Sequence, residues 1–194
     1  PMMLAAYLAV IRVGGIAVGT MPLLRSTELS DILNKARITH ALCDWRLRDE
    51  LEVCRDHASD LTTIGYFHST APDGLDALMD GKPTEYTAFD SAIDDVCLIA
   101  FTSGTTGQPK GTMHFHRDLL AICDGFNRMV LRPEPDDIFC GSPPLAFTFG
   151  LGGMALFPLD VGAAVLLLEK ASPSVLLEAI EHYRATICFT APTA

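Results

Sequence analysis

Between Leu98 and His116 the chain reads LIAFTSGTTGQPKGTMHFH, an apolar run that breaks into hydroxyls, glycines and one lysine before turning apolar again. Thr102, Ser103, Thr105 and Thr106 supply hydroxyl donors, Gly104, Gly107 and Gly111 supply backbone freedom, and Lys110 supplies the one charge. Glycines let backbone N–H groups approach a ligand closely, and an ammonium placed among such donors suits polyphosphate. The spacing is neither G-x-x-x-x-G-K-[ST] nor G-x-G-x-x-G, so the two commonest nucleotide-loop patterns do not apply. On composition alone, a polar turn between two strands accounts for the segment equally well.

A second cluster follows at Gly141 to Gly153, GSPPLAFTFGLGG. Phe147 and Phe149 stand beside the small residues Gly150, Gly152 and Gly153, a combination suited to a flat aromatic acid. An amino-acid ligand would want a carboxylate for its ammonium. Plain core packing of the two rings is the other reading. His114 and His116 flank Phe115 and would share one face of a strand, but no third ligand is in sight and no metal site is expected. Cys43, Cys54, Cys97, Cys123, Cys140 and Cys188 form no C-x-x-C pair and read as buried, reduced thiols. The Asp94-Asp95 pair reads as solvated turn charge, and Trp45 as packing.

The elements that must position these residues alternate. Helices are expected over Leu4–Val13, from a Ser26 or Thr27 cap to Arg37, near Arg46–His57, over Arg117–Leu131, over Gly150–Leu156 and over Ser174–Tyr183. Strands are expected at Ile16–Gly19, Ile38–Cys43, Leu61–Phe67, Val96–Phe101, Gly111–Phe115, Ile138–Ser142, Ala163–Leu168 and Thr186–Thr190. Such alternation implies an α/β fold, with mainly parallel βαβ-built sheets flanked by helices. Residues 69–91, rich in Pro, Gly and Asp, form a loop and a possible subdomain seam.

The 194 residues carry 14 Lys+Arg against 24 Asp+Glu, a net charge of −10. That sign argues against nucleic acid or an anionic membrane surface as partner. Phe149 to Leu168 is long enough to span a bilayer, but Pro158 and Asp160 split it into a helix, a turn and a strand. No secretory signal pattern opens the chain, which is consistent with a cytoplasmic protein. Pro1 already lies inside an apolar helical pattern and the sequence stops at ICFTAPTA, so a piece of a longer protein is expected. Its mean hydropathy of +0.28 then follows from apolar surface meant for the rest of the domain, through which such a piece would self-associate.

The string FTSGTTGQPKG resembles the phosphate-binding signature of the adenylate-forming superfamily, which includes acyl- and aryl-CoA synthetases, firefly luciferase and the adenylation domains of peptide synthetases. GGIAVGTMPLL, ELSDILNKARITHALCD and FTAPTA are similar to other segments of that family, so the likeness covers residues 1–194 as part of the large N-terminal domain, without the C-terminal domain. The resemblance implies that Thr102, Ser103, Gly104, Thr105, Thr106, Gly107 and Lys110 bind the β- and γ-phosphates of ATP. It implies attack of a carboxylate on the α-phosphorus, with Mg²⁺ as counter-ion, and transfer of the acyl group to a thiol such as coenzyme A. Phe147, Phe149 and Gly150 would line the acyl pocket, Phe147 standing where many members place a gating His. The finer pattern looks most like the benzoate and 2-aminobenzoate CoA ligases. A fatty acyl-CoA synthetase, a carrier-protein adenylation domain, and a non-catalytic nucleotide-binding module are the alternatives. Family motifs for adenine, ribose, magnesium and the C-terminal lysine do not occur in the 194 residues, so this piece is expected to be inactive alone.

Overall fold

The computed structural model describes residues 1–103 and 109–191. Helix α1 runs Met2–Arg12 and stops at Gly14, whose φ of +80° is open to glycine at no cost. It is half-buried, with only Tyr7 fully inside, less enclosed than its composition predicts. The expected strand at Ile16–Gly19 reduces to one bridge, in which Ala17 exchanges hydrogen bonds with Cys97 and Ile99 at 2.9 Å each. Gly19 and Pro22 leave too little side chain and too few donors to extend it.

A first α/β unit comprises α2 (Ser26–Lys35), β1 (His40–Asp44), a 3₁₀ turn at Trp45–Leu47, α3 (Arg48–Cys54) and β2 (Thr63–Phe67). The helix α2 is capped differently from expectation. Ser26 is already helical, and the carboxylates of Glu28 and Glu50 take the Arg25 and Ser26 N–H groups at 3.0 and 2.8 Å. Strands β1 and β2 pair in parallel from His40↔Thr63 to Asp44↔Phe67. Leu33, Leu51, Cys54 and Ala58 form the core beneath them. Residues 69–91 hold one short helix, α4 (Leu75–Met79), as expected of a loop segment.

The second part begins with β3 (Val96–Ser103) and β4 (Pro109–Phe115), an antiparallel hairpin with a bulge at its open end between Val96 and Leu98. Helix α5 (His116–Ile122) continues through wider π-type turns to Leu131 and ends at Arg132, whose φ is +51°. His116 therefore opens a helix instead of sharing a strand face with His114. Asp94 pairs with Arg117, and Asp95 accepts the Ala92 N–H at 2.8 Å, so these two acids organise the turn and are not merely solvated.

Strand β5 (Ile138–Gly141) lies between β6 (Ala164–Val165) and β7 (Ile187–Phe189), all parallel, in the order β6-β5-β7. Between β5 and β6 the chain is helical from α6 (Thr148–Leu151), through π-type turns at Gly152–Leu156, into α7 (Phe157–Val161). Pro158 does not break this helix. The wider π-type turns end just before it, and such a widened turn is where a continuous helix makes room for the ring and the missing N–H. The break comes at Gly162, φ +76°. Strand β6 is a short edge with Ala164 exposed, not the doubly buried strand that AAVLLL suggests. Helix α8 (Pro173–Tyr183) follows its Ser172 cap. The six cysteines are free thiols, but Cys188 is exposed and Cys43 half-buried.

Candidate active site

Cys97, Leu98 and Ala100 are buried on β3, which is held on one edge by Ala17 and on the other by β4. This anchored strand delivers Thr102 and Ser103 to the end of the hairpin. Thr102 pairs with Lys110 and Ser103 with Pro109, so the ladder closes on a five-residue connection. Thr102 and Lys110 are both exposed there, a hydroxyl and an ammonium on opposed strands. Gly104, Thr105, Thr106 and Gly107 lie outside the described residues, as does the side chain of Ser103. Gly111 faces Phe101 in the register, and a Cβ there would come within 3.2 Å of the Phe101 ring. The bare glycine thus lets the phenyl ring cross the ladder, which stiffens the base of the turn. Lys35, in the last turn of α2, donates from Nζ to the Pro109 carbonyl oxygen at 2.7 Å.

The second wall grows from the carboxyl ends of β5 and β7, where ligands of open parallel sheets bind. The Ser142 N–H donates to the Phe189 carbonyl at 3.0 Å, and the Ser142 and Thr190 hydroxyls are 3.0 Å apart. Pro143 and Pro144 then turn the chain into α6. A Cβ on Gly150 would sit 2.0 Å from the Pro144 carbonyl oxygen, so only glycine allows the helix to start this close. Phe147 and Phe149 are both about half exposed, at 45% and 51%. Phe147 is the extended residue just before α6 and Phe149 lies within it, and they do not form one wall of two stacked rings. Phe149 meets Phe189 edge-on, with centroids 5.8 Å apart, whereas Phe147 has no ring partner among the described residues.

Phe189 is the residue that sequence reasoning missed. Its ring lies 5.8 to 6.3 Å from those of Phe126, Phe139, Phe149 and Phe157. Gly141 and Gly153 make room for it: a Cβ on either would fall 2.3 Å from its carbonyl oxygen or 2.6 Å from its ring. The available signal was its place at the head of FTAPTA, one of the segments that resembles the family.

The two walls share α6. Leu98 and His114 of the hairpin line a cavity of about 140 Å³ with Asp118, Leu119, Ile122, Thr148, Leu151 and Leu156. That volume is below the several hundred Å³ of a ligand pocket, so it is a packing gap between the walls. A larger concavity of about 400 Å³, lined by Arg117, Leu120, Asp124, Arg128 and Asp160 among others, contains none of the predicted site residues. Among the described residues no three His, Cys, Asp or Glu side chains come together to hold a metal. The hairpin carries no carboxylate on either strand, so its own residues do not fit a magnesium ion.

A buried carboxylate, also unforeseen, joins the first unit to the second. Asp44 accepts from Arg46 Nε and Nη2 at 2.9 and 2.7 Å and contacts His68 Nδ1 at 2.8 Å, and Arg46 Nη1 reaches Glu169 at 2.7 Å. The Arg46 guanidinium holds the Asp44 carboxyl well below the usual carboxylate range.

An anchored hairpin ending in opposed Thr and Lys stands beside an aromatic wall at the carboxyl end of a parallel sheet, within an α/β domain. The chain belongs to the AMP-binding enzyme family, whose model matches residues 1–194. It is 35% identical to the benzoate–CoA ligase of Thauera aromatica over 122 residues, 62% of this chain and 23% of that protein. In solved structures it is similar to the anthranilate CoA ligase AuaEII in complex with anthranoyl-AMP, with 30% identity, a TM-score of 0.90, and coverage of 97% of this chain and 37% of that one. It is also similar to ATP-bound MatB from Rhodopseudomonas palustris, with 27% identity, a TM-score of 0.80, and coverage of 96% and 36%. The chain thus spans about a quarter to somewhat over a third of the length of these proteins. Among the described residues no helix is long and apolar enough to cross a membrane.

Proposed function

We propose that these residues are part of the N-terminal domain of an ATP-dependent aryl-CoA ligase. The observation that carries this reading is the exposed Thr102–Lys110 pair at the end of a strand anchored by its buried Cys97, Leu98 and Ala100, on either side of the Gly/Thr segment of the sequence. Thr102, Ser103, Gly104, Thr105, Thr106, Gly107 and Lys110 orient the β- and γ-phosphates of ATP, and the α-phosphorus stays open to in-line attack by a carboxylate. The carboxylate oxygen forms a bond to the α-phosphorus as the bond to pyrophosphate breaks, giving an acyl-adenylate. The thiol of coenzyme A then displaces AMP to leave the thioester. Phe149 and Phe189, with Phe147 at the entrance and Gly150 fixing the helix start, receive the ring of a benzoate- or 2-aminobenzoate-type acid. Relatives named for benzoate and anthranilate support that acid class.

The isolated 194 residues hold one side of this site and do not turn over. Their surface supports that view: 12257 Å² is exposed, against about 9,000 Å² for a compact monomer of this mass. Leu23, Leu120, Met129, Val130 and Leu177 are each more than 60% exposed. The rest of the domain covers that surface in the full protein, and without it the piece self-associates. We place the enzyme in the cytoplasm.

The test is acid-dependent ATP–pyrophosphate exchange by the full-length protein, over benzoate, 2-aminobenzoate, a medium-chain fatty acid and several amino acids. Exchange with the aromatic acids alone is expected. Exchange only with fatty or amino acids overturns the aromatic pocket and keeps the phosphate loop. No exchange with any acid overturns the enzyme reading.

A further inference from the structure

Building on the proposed adenylating activity, we infer that Lys35 is a positioning residue for the phosphate loop, setting ATP affinity from outside the loop's own sequence. Its ammonium hydrogen bonds the Pro109 carbonyl at 2.7 Å, across 74 residues of chain. Pro109 is the last residue before Lys110 and sits opposite Ser103, so this bond fixes the returning arm of the turn at the peptide unit that carries the cation. Proline cannot donate a hydrogen bond from its nitrogen, so at residue 109 the carbonyl is the backbone group that can take an anchor additional to the β3–β4 pairing.

The helix that supplies Lys35 is itself anchored at both ends. Glu50 takes the Ser26 N–H and the Arg25 guanidinium at 2.8 and 3.1 Å, and Asn34 Nδ2 donates to the His57 carbonyl at 2.8 Å. Ile32 and Leu33 are buried on its inner face. Lys35 therefore reaches the hairpin from a fixed base, at the residue that precedes Lys110 in the chain. A charge-assisted donor fixed in this way acts on ground-state phosphate binding as much as on the transition state, so its loss should appear in KM more than in kcat.

The test uses the full-length enzyme with Lys35→Met and Lys35→Arg, reading pyrophosphate exchange against ATP concentration and amide hydrogen exchange of the 109–115 strand. Lys35→Met is expected to raise KM for ATP about tenfold with kcat within about twofold, and Lys35→Arg to stay within about threefold of wild type. Amide exchange over 109–115 should quicken in Lys35→Met only. An active wild type with unchanged KM in Lys35→Met overturns the inference, as does an equal effect of both variants. If the wild type shows no pyrophosphate exchange, the functional reading fails, and the amide exchange still decides whether Lys35 holds the hairpin.

Discussion

Gly150 and Gly125 both sit in helical segments, yet the same substitution should move stability in opposite directions at the two. In a helix interior, alanine is favoured over glycine by about 1 kcal/mol. At Gly125 nothing lies within 4 Å of an added Cβ, so Gly125→Ala should stabilise by about 0.5–1 kcal/mol. At Gly150 the added carbon would stand 2.0 Å from the Pro144 oxygen, 2.5 Å from its carbonyl carbon and 2.8 Å from the Pro143 oxygen. All three atoms are backbone, and the φ angles of both prolines are fixed, so the obstruction cannot be relieved by a side-chain rotation. Relief requires the helix start to withdraw by more than about 1 Å, at the upper end of the roughly 1–3 kcal/mol that overpacking costs. After the propensity gain, the net loss is about 2 kcal/mol, or roughly 4–8 °C in Tm for a domain of this size. Thermal melts of the two variants beside wild type give the answer. A Gly150→Ala protein as stable as wild type would refute the reasoning, because it would mean that Pro143 and Pro144 yield freely.

Other expectations follow from the remaining contacts. Asp44→Asn removes the carboxylate shared by Arg46 and His68, and since Arg46 is half-exposed and water recovers part of the loss, the cost at neutral pH should be about 2 kcal/mol by urea denaturation. Because the folded carboxyl titrates below its unfolded value, Asp44 contributes stability that is complete above about pH 4 and is lost as pH falls towards its depressed folded value. The Asp44→Asn variant should therefore show a shallower acid loss, and an unchanged slope would count against the network. In the 194-residue chain at pH 8, a disulfide reagent such as dithionitrobenzoate should modify Cys188 at once and the buried thiols only on unfolding. Burial pushes Cys123 up to about 11 and Cys140 up to about 12, so rapid labelling of either in native protein would contradict the packing.

The order and kind of most elements were legible because periodicity and turn residues act locally: the end of the first helix before Gly14, the helix closing at Tyr183 and the strand before the Thr/Gly loop all fell where local chemistry put them. The misreadings have two causes, a local departure from regular helix and dependence on distant groups. Pro158 reads as a breaker until the π-type turns ahead of it are known. Ser26 reads as a cap until Glu50 arrives from α3 to take its N–H. Of the candidate site, the residue types in the loop and the Phe147–Gly150 segment stood out in one dimension. Phe189 did not, because its place is made by Gly141 and Gly153, which are far from it in the chain. Lys35 likewise shows no local signal, since its partner is 74 residues away.

The order β6-β5-β7 also governs how the protein can be made. Strand β5 precedes both of its neighbours in the chain, and its Phe139 and Cys140 are fully buried in the finished fold. The hairpin of β3 and β4 can close as soon as Phe115 is synthesised, but β5 has no partner until Ala164 and is not flanked on both sides until Phe189. At about 5–20 residues per second on the ribosome, that wait is about 2–10 s. For that interval the most enclosed phenyl ring of the sheet has only helical neighbours such as Cys123 and Leu131 to pack against, and the unpaired edges of β5 stay open.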